Sequence, residues 1–122
     1  LRENVERILG HRFSGLRVRY WADDATSAWI LDEIGKELPI TIGVAVANGA
    51  IADVEVLEFR ESRGWEVRYP FFTDQFADAR LGPDQTLDRR IDGITGATMS
   101  VDAVTRVARI ALLLHEHVAT AD

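Results

Sequence analysis

Apolar and polar positions alternate with a period of two through much of the first half of the chain. Leu16, Val18 and Tyr20 alternate with Arg17, Arg19 and Trp21, which predicts a strand, and Asp23-Asp24 supply a turn after it. Thr26 to Glu33 reads as a short helix or a buried strand around Trp29, Ile30 and Leu31, and the short turn before it favours the strand. The pattern is clearest in the next pair. Ile40, Ile42, Val44 and Val46 alternate with Thr41, Gly43, Ala45 and Ala47, and Asn48-Gly49 tolerate the positive φ of a tight hairpin. Ile51 to Phe59 then forms the return strand, with Val54, Val56 and Glu58 on one face. Arg60 to Gly64 is a charged loop. Trp65 to Tyr69 reads as one more short strand ended by Pro70, and Pro70 equally suits the first turn of a helix through Phe71, Phe72, Gln75 and Phe76.

Helical spacing governs the two ends. Val5, Ile8 and Leu9 share a face of a short helix that Gly10 would close. From Ser100 to His117 the residues Val101, Val104, Ala108, Ala111 and Leu112 recur at helical spacing, and Val107, Ile110 and Leu114 widen the stripe. That predicts a helix of about 18 residues, buried over much of its surface. Gly82-Pro83-Asp84 marks a turn before it. The expected fold class is α+β: a twisted antiparallel sheet, a long C-terminal helix and short helices at the periphery. Phe71, Phe72, Phe76, Trp21 and Trp29 are expected in the core. No repeat or linker divides residues 1–122, which read as a single domain.

Composition narrows the function classes. Apolar residues make up 47% and charged residues 28%, so the chain can build a core and is not a disordered segment. The absence of cysteine excludes a disulfide scaffold, an iron–sulfur cluster, thiolate zinc and a thiol nucleophile. Thirteen arginines and the single Lys36 stand against 20 acidic residues, a net charge of −6. Nucleic acid is therefore not an expected partner. The first residue is Leu1 rather than methionine, which reads as a processed product with any export signal or anchor outside this chain.

Chemistry concentrates in Ile91-Asp92-Gly93-Ile94-Thr95-Gly96-Ala97-Thr98-Met99-Ser100, a run of small and hydroxylated residues entering the last helix. Thr98 or Ser100 can cap that helix, and the N–H groups of a helix start attract anions, phosphate above all. An ordinary N-capped loop would account for the same residues. Asp92-Gly93-Ile94-Thr95-Gly96-Ala97-Thr98 resembles the flavinylation motif of the FMN-binding domain family, in which an Asp is followed by Ser/Thr-Gly-Ala-Thr. That family includes the FMN subunits of sodium-pumping NADH:quinone reductase and of Rnf-type complexes. The likeness extends over about residues 38–114. Ile40 to Phe59 resembles the family's central hairpin, Glu61-Ser62-Arg63-Gly64-Trp65-Glu66-Val67 a Glu-x-x-Gly-x-Glu-Val loop, and Phe72-x-x-Gln75-Phe76 the short aromatic helix after it. Thr95 stands where Ser is commoner, and Ala77 where Gly is expected.

The resemblance implies a single FMN-binding domain with FMN joined through its phosphate to the Thr98 hydroxyl. It implies attachment by a magnesium-dependent flavin transferase that takes FMN from FAD, since nothing beside Thr98 looks like a dedicated base. Gly93, Gly96 and Ala97 leave the loop slim enough to enter that enzyme. Cofactor contacts are expected from Asp92, Thr95, Gly96, Ala97, Thr98, Met99 and Ser100, and from Glu61, Gly64, Trp65 and Glu66, with Trp65 either lining the flavin ring or serving as a half-buried strand residue. Asp102 is expected to face away from the phosphate. The domain then reads as an electron carrier, outside the cytoplasm, with membrane-associated redox partners, rather than as a stand-alone enzyme. A sensory or interaction module that binds flavin non-covalently, or none, is the alternative. His115 and His117 point to different faces of a helix, so they are expected at a solvated helix end rather than on a metal. His11 is expected at the surface. Arg60, Arg63 and Arg68 form a local basic cluster, read as salt-bridging to nearby Glu residues or, more sharply, as facing the flavin's polar end.

Overall fold

The computed structural model describes residues 2–9 and 18–120, so the expectations for Gly10, His11, Leu16 and Arg17 lie outside the described residues. Helix α1 (Arg2–Leu9) is followed by four strands, β1 (Val18–Ala22), β2 (Thr26–Ile34), β3 (Pro39–Ala47) and β4 (Ala50–Phe59). They form an antiparallel meander in that order, so Thr26 to Glu33 is the predicted strand. Each turn has a local cause. The Asp23 carboxylate accepts the N–H of Thr26 at 3.0 Å and its hydroxyl at 2.7 Å, and Asn48 and Gly49 both take positive φ, 54° and 81°.

Burial alternates residue by residue along β2 and β3, and the buried face carries α3 (Thr98–Thr120). Leu31, Ile40, Ile42, Val44, Val46, Ile51 and Val54 meet Val101, Val104, Val107, Ala108, Ile110 and Ala111 in one core, against which α1 places Val5 and Ile8. Glu33 is buried on that face too, and its carboxylate meets Arg106 of α3 at 3.0 Å.

Several side chains depart from the sequence expectation. Thr41 pairs with Glu58 while Ile42 pairs with Val56, so Leu57 is an extra residue in β4. That bulge turns Glu58 out of line with Val54 and Val56, to an exposed position where it pairs with Arg60 at 2.7 Å. Trp29 is buried as expected, but Trp21 is 61% exposed, because it pairs with Ala28 on the face that no helix covers. Trp65–Arg68 is a 3-10 helix, not a strand: Gly64 takes φ 91° and redirects the chain, and its carbonyl accepts the Val67 N–H. Pro70 then opens α2 (Pro70–Thr73), continued by a 3-10 turn at Asp74–Phe76. Phe72 and Phe76 are fully buried and meet edge to face at 5.4 Å, while Phe71 projects outward at 63% exposure.

His115 is also corrected. It is 7% exposed, with Nδ1 2.7 Å from the Ser27 hydroxyl, which in turn accepts the indole N–H of Trp29 at 2.7 Å. A helix of 23 residues reaches back over the start of β2 and packs His115 there, although Glu116 just beyond it is exposed. His117 is exposed.

From Ala77 to Ala97 the chain has no regular structure beyond one bridge between Leu81 and Leu87. Arginines fasten it. Arg80 donates to the Asn48 carbonyl at 3.0 Å, Arg89 to that of Ala77 at 2.7 Å, and Arg109 to that of Gln85 at 2.7 Å. This fastened connection delivers the motif to the start of α3.

Candidate functional site

The helix starts two residues earlier than its apolar stripe suggested, at Thr98. Ala97 therefore occupies the capping position, and its carbonyl accepts the first helical bond from Val101 at 2.9 Å. Alanine has no side-chain oxygen to offer. Neither expected cap acts as one: Thr98 lies inside the helix with its side chain exposed, and Ser100 is buried a turn further in. Among the described residues no acceptor meets the N–H groups of Thr98, Met99 and Ser100. The first turn carries no acidic residue, and Asp102 is exposed and does not line the cleft. The positive end of a long helix is thus left open.

What faces it is a cleft of about 500 Å³. One wall is the Gly96–Ser100 segment. The others come from the turn between β2 and β3 (Lys36, Glu37) and from the loop after β4 (Glu61, Ser62, Arg63). Two close approaches hold these walls together. The Glu61 carboxylate accepts the N–H groups of both Glu37 and Leu38, fixing the turn that bears Lys36. Gly64 lies so near α3 that a Cβ there would stand 2.8 Å from the Ser100 hydroxyl. Lys36 and Arg63 are both exposed, and among the described residues neither meets a carboxylate within ion-pair distance. The motif loop closes on itself through Ala97 N–H donating to the Ile94 carbonyl at 3.0 Å, with Gly96 at φ 83° in the place where such a turn favours glycine.

The residues proposed from sequence separate into two groups. Gly96, Ala97, Thr98, Met99, Ser100 and Glu61 line the cleft, and Gly64 packs against its floor. Asp92, Thr95, Trp65 and Glu66 do not line it. Trp65 is 47% exposed and leans edge to face on Tyr69 at 5.2 Å, and the Glu66 carbonyl accepts the Tyr69 N–H at 3.1 Å. Of the basic cluster, Arg60 is tied to Glu58 and to the Pro39 carbonyl, and Arg63 alone reaches the cleft. Sequence reasoning missed Lys36 and Gln75. Lys36 was visible only as a turn residue between two strands. Gln75, whose side chain binds both backbone groups of Asp92, sits in a segment whose pattern speaks of core packing.

An α+β domain with an uncapped helix start, two unpaired cations and a glycine-lined approach suits an anionic group such as a phosphate. The family model for the FMN-binding domain matches residues 35–113, well over half of the chain. The chain therefore belongs to the FMN-binding domain family: it is a flavoprotein domain whose cofactor is FMN. No curated protein matches it.

Proposed function

We propose that this domain carries FMN as a phosphoester on the Thr98 hydroxyl and relays electrons between partner proteins. The observation that carries the reading is the placement of Thr98. Its side chain is exposed at the first position of α3, beside N–H groups that no acceptor among the described residues meets. A phosphate diester retains one negative charge, which the helix end, Lys36 and Arg63 are placed to hold.

No side chain among the described residues hydrogen-bonds the Thr98 hydroxyl, so its activation comes from outside. A magnesium-dependent flavin transferase supplies it, with FAD as donor. Thr98 Oγ1 attacks the phosphorus on the flavin side of the FAD pyrophosphate, the bond to the AMP phosphate breaks, and the hydroxyl proton passes to a base of the transferase. The products are the FMN–threonine diester and AMP, with no change of oxidation state. Bound FMN supplies one- and two-electron redox chemistry, while the chain holds and orients it. The flavin transferase and the redox partners, the latter membrane-associated, are placed outside the cytoplasm in this reading. Among the described residues no helix is long and apolar enough to cross a membrane.

Co-expression with and without a flavin transferase tests the attachment. The expected result is an intact mass higher by one FMN less one water, ultraviolet fluorescence at the denatured band, and loss of both in Thr98→Ala. A Thr98→Ala protein that keeps flavin through denaturation overturns the site. A wild-type domain that only ever binds FMN reversibly overturns the covalent link.

A further inference from the structure

We propose that the Gln75 carboxamide is a latch that pre-positions the acceptor loop for flavin attachment, a positioning role that rests on Thr98 being the attachment site. Gln75 stands on rigid ground. It lies in the 3-10 turn whose Phe76 is fully buried against Phe72. From there its side chain crosses to the motif segment, where Oε1 accepts the Asp92 N–H at 2.7 Å and Nε2 donates to the Asp92 carbonyl at 3.2 Å. Both hydrogen-bonding groups of one residue are thereby held by one side chain, as a neighbouring strand would hold them.

The next fixed point along the chain is the start of α3. Between the two run Gly93, Ile94, Thr95, Gly96 and Ala97, of which Gly93 and Gly96 have open space around them. Ile94 packs partly buried against the core, and the turn from Ile94 to Ala97 closes the loop. No other side chain among the described residues hydrogen-bonds the backbone of this stretch. Without the latch, a loop with two glycines samples many shapes, and an enzyme that must grip it has to order it first. The latch removes that cost before the encounter. It acts on capture of the loop and not on the phosphoryl transfer itself, because Gln75 does not line the cleft.

The test compares the wild type, Gln75→Ala and Gln75→Glu in steady-state flavinylation by a purified transferase with FAD and magnesium, varying the domain concentration. Gln75→Ala is expected to raise the KM for the domain about tenfold with kcat within about twofold. Amide exchange at Asp92 is expected to quicken about tenfold while the amides of β3 are unchanged. Gln75→Glu keeps the acceptor for the Asp92 N–H and loses the donor to its carbonyl, so a KM between the other two is expected, and it serves if the alanine variant does not fold. An unchanged KM, a change in kcat alone, or faster exchange throughout the molecule overturns the latch while leaving Thr98 as the site. A wild-type domain that accepts no flavin overturns the attachment reading and the latch with it.

Discussion

Toward one end of α3, His115 is tied to the sheet by Ser27, which also accepts from Trp29; at the other, Thr98, Met99 and Ser100 line a cleft with N–H groups that no acceptor among the described residues meets. The two ends belong to one helix of 23 residues, about 34 Å long. Both are polar, and the middle is apolar core. The difference lies in who satisfies the polar groups. At His115 the protein does so itself; at the open end the proposed phosphate would do so. In the proposed reading, stability and cofactor binding are separated along one element, so each should be open to disturbance without the other.

The sharpest challenge to that separation is Ser27→Ala. It removes the partner of two buried groups, the Trp29 indole N–H and the His115 imidazole, and is expected to cost about 2–4 kcal/mol in denaturant unfolding. Flavin loading of the folded fraction should not change; a loading defect would show that the ends are not independent. A smaller effect is expected from Ala97→Ser, which supplies the missing cap. It should add about 1 kcal/mol of stability and slow flavin loading, because the new hydroxyl competes for the N–H groups the phosphate uses. Faster loading would mean that the open end is not the binding feature. The gentlest probe is pH. Burial holds the His115 imidazole below its ordinary value, with Glu116 pulling weakly the other way. The unfolded chain therefore takes up the proton more readily than the native one. The stabilising contribution is present above the ordinary value of about 6.5 and is lost as the pH falls from there through the lowered native value. Melting temperature should accordingly fall on acidification across that window, and His115→Gln should flatten the dependence.

The sheet was legible because alternation and an Asn-Gly turn are local signals that agree with the tertiary packing. Glu58 was misplaced because one extra residue, Leu57, shifts the alternation, and its mark in the sequence is only the adjacent apolar pair Val56-Leu57. Trp65 to Tyr69 has strand-like residues, yet a glycine in the left-handed region redirects them. Trp21 and Phe71 have core-like side chains, and only the position of the helices decides that they face outward. His115 is hidden by a residue 88 positions away, a distance no periodicity spans. At the site the motif itself was readable, since its residues are contiguous. Its walls were not: Lys36 and Arg63 come together through a carboxylate that ties two turns, and Gln75 acts across 17 residues.

Lys36 is the one lysine of the chain, and it stands on the wall of the cleft that faces Thr98. Amine-selective reagents thus address one side chain besides the terminal amine, and in the proposed reading that side chain stands beside the phosphate. A label placed there becomes a local reporter of occupancy without any engineered residue. Protection of the same amine by a loaded phosphate turns acylation rate into a measure of how full the site is.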